Sequence, residues 1–248
     1  MSDQKIFNNI WQIQKKISSG SFGVVYTGQN ILTKEQVAIK LEKDDPDDVR
    51  TLDKEIKILK KLEGLPNVPR LLWDGEEHTY HLIVLNLLGK DLSYYRKQLK
   101  KFSLKTILLL IDQLITVIEQ IHNRSILHRD LKPENILMGR DENLNNVYII
   151  DFGISKIYQN YEGKHIKFKE EKPFIGTTRY ASIAAHKGYE LGRKDDLESL
   201  LYVLIFLYKG ILPWQNIQDI EEEDREQVYI FIFFQQYLKN NQKRQFKI

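Results

Sequence analysis

The chain contains no cysteine. That removes disulfides and cysteine-ligated zinc from consideration, and it fits a reducing cytosol. Long apolar runs are missing too: the most apolar stretches, residues 197–207 and 228–234, are too short to span a bilayer. Residues 1–9 are polar and have no apolar centre, so no signal peptide is expected. Nor is there an excess of one charge, with 37 basic residues against 34 acidic ones and a formal net charge of +3. Such balance gives no electrostatic case for nucleic acid or a membrane as partner. No internal repeat stands out. What is present, 42% apolar and 29% charged residues over 248 positions, has room for one large domain or two lobes around a cleft. A cytoplasmic monomer is expected, able to act in the nucleus as well.

The first third has the pattern of strands. Residues 10–17, 24–28 and 36–41 are short and rich in β-formers, with Gly20, Gly23 and Thr33 marking turns. Residues 70–73 and 80–85 complete a five-stranded sheet. Between them Leu52, Ile56 and Leu59 fall at helical spacing, after a capping Asp47 or Asp48 and before Gly64. From Leu87 onward the pattern is helical. Leu104, Ile107, Leu108, Ile111, Leu114, Ile115, Ile118 and Ile121 trace one apolar face, with Ser103 as N-cap. Residues 196–208 are apolar nearly all round, which predicts a buried helix. The fold class is α+β and bilobal: an N-lobe over 10–85, a hinge over 86–89, and a mostly helical C-lobe over 90–227.

The chemistry concentrates in His128-Arg129-Asp130-Leu131-Lys132-Pro133-Glu134-Asn135 and in Asp151-Phe152-Gly153. Asp130 can accept a hydroxyl proton, Lys132 can neutralise charge on a moving phosphate, and Asn135 and Asp151 offer hard oxygen ligands for Mg2+. This order matches the catalytic loop and metal-binding aspartate of eukaryotic protein kinases. Upstream, Ser18-Ser19-Gly20-Ser21-Phe22-Gly23 sits between two predicted strands and resembles the kinase glycine-rich loop, with Ser18 where a first glycine is usual. By itself it could equally be a hairpin turn. Val37-Ala38-Ile39-Lys40 puts a lysine on the third strand, and Glu55 lies near the buried face of the helix that follows. Paired, they would hold an ammonium over the α and β phosphates; unpaired, each is a surface charge worth little.

Further motifs narrow the resemblance. Gly176-Thr177-Thr178-Arg179-Tyr180-Ala181-Ser182-Ile183, residues 193–200 and Leu212-Pro213-Trp214-Gln215 are similar to the casein kinase I family, as are Leu137-Met138-Gly139 and Leu87-Leu88-Gly89. The likeness runs from about residue 10 to 215, with Ser18 and Ala184 as departures. It implies a Ser/Thr protein kinase using ATP and Mg2+, active without activation-loop phosphorylation. By that resemblance Asp130, Lys132 and Asn135 are catalytic, and Asn135 and Asp151 hold the metal. Ser19, Gly20, Ser21, Phe22, Gly23, Val25, Ala38, Lys40, Glu55, Leu85 and Leu88 form the nucleotide site, with Leu85 as gatekeeper. Asp196 anchors the catalytic loop, and His128 is a satisfied core imidazole. Implied substrates are proteins with acidic or phosphorylated residues upstream of Ser or Thr, gripped by Lys172, Arg179 and Arg225. The acidic run 221–224 beside Arg225 would work against that grip.

After about Gln227 the casein kinase I pattern stops. Residues 228–234 combine aromatic and β-branched side chains with low charge and precede a Gln/Lys/Asn-rich stretch, a composition prone to aggregation. The expectation is that residues 228–248 are a tail outside selected coding sequence, and that the C-lobe is partial. Leu200, Leu204 and Leu207 would then be uncovered, each forfeiting about 1.5–3 kcal/mol. A truncated, non-catalytic nucleotide-binding or scaffold protein is therefore the alternative.

Overall fold

The computed structural model describes residues 5–20, 23–43 and 51–215. Ser21, Phe22, Asp47, Asp48, Arg225 and the stretch 228–248 lie outside them. Strands β1 (Ile6–Phe7), β2 (Trp11–Gly20), β3 (Gly23–Asn30), β4 (Gln36–Lys43), β5 (Leu71–Glu77) and β6 (Tyr80–Asn86) form one antiparallel sheet in the order β1-β2-β3-β4-β6-β5. The five expected strands are all there. The sheet has six strands rather than five, because the polar N-terminal stretch contributes β1. Its Phe7 is 2% exposed and meets Tyr80 edge-on at 6.4 Å. One apolar ring in a two-residue strand leaves no periodicity to read.

Alternation along β4 decides what the sheet presents to each side. Val37, Ile39 and Leu41 pack with Phe7, Trp11, Leu82 and Val84 in an outer cluster. Ala38, Lys40 and Glu42 therefore face the other way, towards helix α1 (Thr51–Lys61). Leu52, Ile56 and Leu59 of α1 are buried as their spacing predicts. The described cap of α1 comes from the sheet: the Glu42 carboxylate accepts from the Thr51 N–H at 3.0 Å, the Leu52 N–H at 3.1 Å and the Thr51 hydroxyl at 2.5 Å. An anion at a helix N-terminus satisfies orphan donors and opposes the positive end of the dipole.

The second lobe holds α2 (Leu92–Leu99), α3 (Leu104–Asn123), α4 (Ile183–His186) and α5 (Arg193–Lys209). Two short ladders join them, β7 (Ile126–Leu127) with β10 (Lys156–Ile157), and β8 (Ile136–Met138) with β9 (Val147–Ile149). Ser103 caps α3 by accepting from the Thr106 N–H at 3.1 Å. The buried side of α3 is rotated from the expected one. Leu110 and Val117 are buried, whereas Leu104, Leu108 and Ile115 are exposed, because α3 packs on α5 and β9 through its 107–110–114–118–121 edge. Helix α5 is likewise not buried all round among the described residues: Leu197 and Leu201 are exposed. Its other side buries Leu200, Leu204 and Leu207, so these three are covered after all.

One apolar cluster runs from Leu52 and Ile56 on α1 through Leu114 and Ile118 on α3 to Val203 and Leu207 on α5. The lobes thus share a core and meet at the hinge, where the Gly89 N–H donates to the Met138 carbonyl at 2.8 Å. No helix among the described residues is long and apolar enough to cross a membrane. Replacing the cap in Glu42→Ala should lower unfolding free energy by about 1 kcal/mol in urea titration. Amide exchange should quicken selectively over the first turn of α1.

Candidate active site

The loop from His128 to Asn135 hangs between β7 and β8, and each of those strands is paired with a later segment. Pairing of β9 with β8 brings residue 151, just past β9, back beside Asn135; the Ile150 N–H donates to the Asn135 carbonyl at 3.0 Å. The loop is fixed from below by α5. The buried Asp196 carboxylate accepts from the backbone N–H groups of His128 (2.9 Å) and Arg129 (2.8 Å), and pairs with His122 Nε2 at 2.7 Å. Arg129 and Asp151 both adopt left-handed backbone, at φ +70° and +67°. Such conformations cost on the order of 1–3 kcal/mol each and persist only where their surroundings impose them. His128 is 1% exposed; its Nε2 meets the Ile150 carbonyl and its Nδ1 accepts from the Asp130 N–H. The ring is structural, as expected.

Asp130 is buried at the centre of the loop, and its carboxylate is held by three donors. Lys132 Nζ reaches Oδ2 at 2.7 Å, Asn135 Nδ2 reaches the same oxygen at 3.1 Å, and the Thr177 hydroxyl donates to Oδ1 at 2.6 Å. Lys132 also touches Thr177 Oγ1 at 3.3 Å. Sequence reading gave Thr177 no part in the site, so the structure adds its contact with the acid. The signal was the preceding Gly176. With φ +102°, a Cβ there would stand 2.6 Å from the Arg129 carbonyl, so only glycine lets the segment approach this closely. The side-chain amide of Asn135 is engaged through its nitrogen, which leaves its oxygen for a cation.

Across the cleft, Lys40 Nζ pairs with Glu55 Oε2 at 2.5 Å and with Asp151 Oδ1 at 3.2 Å. The surface-charge reading of Lys40 and Glu55 thus fails, since both are buried. Burial opposes the Lys40 ammonium, but the Glu55 and Asp151 carboxylates outweigh it and hold its pKa above the ordinary value. Asp151 would be raised by burial; Lys40, with lesser help from His128 and Lys132, holds it below the usual carboxylate range. Two ammonium groups, Lys40 and Lys132, face three carboxylates, Glu55, Asp130 and Asp151. The cluster is one positive charge short. Two protein oxygens on Asn135 and Asp151 are too few for a closed cation cage, and no group of three or more His, Asp or Glu able to hold a metal occurs among the described residues. The donor set fits an Mg2+ shared with phosphate oxygens.

A model of the protein kinase domain matches residues 11–247. The chain belongs to the protein kinase family. The matched span includes residues 228–247, which sequence reading set apart as a tail. The apolar side chains of this kinase that the sequence reading assigned to the nucleotide are half-buried. Val25 pairs with Lys40 across β3 and β4, Ala38 pairs with Leu85 across β4 and β6, and Leu88 follows at the hinge. Ser19 and Gly20 close the β2–β3 hairpin opposite Val24 and Gly23. Ser21 and Phe22 are outside the described residues. Through β3 the hairpin adjoins the lysine strand β4.

The expected anion grip on substrate does not assemble in the same way. Arg179 is exposed and lies over the rings of Tyr180 and Phe206, each 5.9 Å from its guanidinium carbon. Lys172 is turned to Glu190 at 3.8 Å. The two cations share no partner among the described contacts, and Arg225 falls outside. Sequence reading missed Lys156, Glu190 and His122, since each acts through a partner at least 34 residues away.

Burial would raise the Asp196 carboxyl, but its bond with His122, the charges of His122 and His128 and the Arg129 N–H hold it below the ordinary aspartate value. A depressed folded value means its stabilisation is present above the unfolded value and fades as pH falls through the folded one. Asp196→Asn should therefore lower unfolding free energy by about 1–3 kcal/mol at pH 7. The gap from the parent should narrow below about pH 4. Urea titrations from pH 3 to 7 measure both.

Proposed function

We propose that this chain is a catalytically competent Ser/Thr protein kinase of casein kinase I type, acting on proteins with acidic or phosphorylated residues upstream of the target hydroxyl. The observation that carries the reading is the Asp130 carboxylate, held by Lys132, Asn135 and Thr177, facing a Lys40–Glu55–Asp151 cluster one positive charge short. The gathering of Lys40, Glu55, Asp130, Lys132, Asn135 and Asp151 supports the catalytic reading. A non-catalytic scaffold would not need them so arranged. The family likeness of residues 176–183 and 193–200 supports the Ser/Thr and casein kinase I assignment. Exposed Lys164, Lys167, Lys169 and Arg179 support an acidic substrate.

Mg-ATP supplies the phosphoryl group, with ADP leaving as the substrate oxygen bonds to the γ-phosphorus. Asp130 orients the incoming hydroxyl and takes its proton. Lys132 steadies charge on the group being moved, and Lys40, kept cationic by Glu55, meets the α and β phosphates. Asn135 and Asp151 hold the cation. Val25, Ala38, Leu85 and Leu88 enclose the base.

Peptide phosphorylation by the whole chain tests this. Acidic and pre-phosphorylated peptides should be favoured over neutral ones, with the preference shrinking as salt rises. Asp151→Asn should lower incorporation about a hundredfold or more, because the divalent ion contributes several kcal/mol of charge stabilisation. Equal incorporation by parent and variant would end the assignment, and nucleotide binding without transfer would favour the scaffold. Thr177→Ala should cut kcat about tenfold, leaving the KM for ATP little changed, while Thr177→Ser retains most activity.

A further inference from the structure

A second buried histidine among carboxylates lies in the N-lobe, where α1 rests on the sheet. His81 of β6 is 6% exposed and stands between β4 and β5. It is paired with Glu42 of β4 on one side and with Glu76 of β5 on the other. Residues directly paired on neighbouring strands project to the same side of a sheet, and for Glu42 that side faces α1. A third carboxylate comes from the helix itself: Asp53 Oδ1, in the first turn of α1, is 3.4 Å from His81 Nδ1.

That nitrogen is buried and makes no hydrogen bond among the described residues. The lysines on the same faces are spoken for or turned outward. On β4, Lys40 pairs with Glu55 and Asp151. On α1, Lys57 and Lys60 follow Asp53 at helical spacing; Lys57 is exposed, and Lys60 pairs with Asp74 of β5 at 2.9 Å. One ring therefore faces Glu42, Asp53 and Glu76. Imidazole is the side chain that gains or loses its charge between about pH 5 and 8, a range in which ordinary carboxylates stay ionised. Both ring nitrogens donate once the ring is charged.

We infer that His81 is a positioning residue that acts as a proton-operated latch on α1: when charged, the ring ties Asp53 of the helix to Glu42 and Glu76 of the sheet. The contact of Nδ1 with Asp53 then becomes a charge-assisted hydrogen bond. When the ring is neutral, three carboxylates are left to repel one another across the first turn of the helix. The stabilisation is present at the acid end of the range and is lost as pH rises through the titration of the ring. Glu55 lies two residues beyond Asp53 and pairs with Lys40, so a firmer first turn also fixes that ammonium. The inference rests on the proposed kinase activity for its catalytic consequence, but not for the seating of α1.

Hydrogen exchange of the whole chain at about pH 5.5 and about pH 8, each rate referred to that of an unstructured peptide at the same pH, tests the latch. Protection over the first two turns of α1 should be about fivefold higher at the lower pH, the scale of one partly exposed ion pair. His81→Gln cannot take up the proton and should keep the parent's high-pH protection throughout. Asp53→Asn, at a side chain 56% exposed, should fold as the parent does and lose most of the rise. In the peptide assay the parent-to-His81→Gln ratio of kcat/KM should be near one at the higher pH and climb to about fivefold at the lower. Both proteins share Asp130, so its own titration cancels in that ratio. Parent protection that ignores pH, the same change in His81→Gln, or a full change in Asp53→Asn would each overturn the inference. Should His81→Gln fail to fold, Asp53→Asn decides it. An inactive parent would defeat the kinase assignment and leave the exchange measurements to decide this one.

Discussion

The Asp196 carboxylate is the point at which a rigid helix takes hold of a strained loop. Its two oxygens receive the backbone N–H groups of residues 128 and 129, and a third donor comes from His122 on α3. Those bonds, together with the Arg129 side chain's bonds to the Ile154 carbonyl, keep Arg129 at positive φ and fix the turn that carries Asp130. The dependence runs outward from there. Asp130 positioned in this way can receive Thr177, Lys132 and Asn135, and through Thr177 the activation segment acquires its own fixed point. A polar group buried under a helix thus governs geometry at the surface, and α5 owes its place to the core it shares with α3 and α1.

Charge organises the molecule on two sides of the same loop with opposite sign. In the cleft, carboxylates outnumber ammonium groups, which suits a divalent cation and the phosphates it carries. Behind the loop, Lys156 and Lys172 flank the Glu190 carboxylate. Negative charge is in excess in the cleft, and positive charge is in excess behind the loop. Arg129 and Asp130 are adjacent in sequence, yet each belongs to a different one of these two environments.

The catalytic groups were legible because their chemistry demands fixed residue types at short spacing. Asp130, Lys132 and Asn135 fall within six positions, and Asp151 follows one short ladder later. Strands were legible where β-forming residues ran for four or more positions. β1 was not, having one apolar ring. The α3 face was misplaced by part of a turn because that helix is rich in apolar residues on several sides, and only its neighbours decide which edge is buried. Glu42, Lys156 and Glu190 were invisible for a different reason. A charged residue declares itself along the chain as solvated; its function here comes from a partner that folding brings near. The partners of Lys172 and Arg179 were hidden in the same way: Glu190 meets one of them and aromatic rings the other.

Glu42 and Lys40 point the same way from β4, two residues apart, and each seizes α1: one at its first amides, the other at Glu55 a turn later. Two fasteners on one strand make a hinge-free joint. Swinging α1 outward would strip the dipole of its counter-charge in the same motion that separates the lysine from its partner. Small molecules that need this helix displaced would therefore bind weakly, whereas those that accept it docked would meet a pocket already in shape.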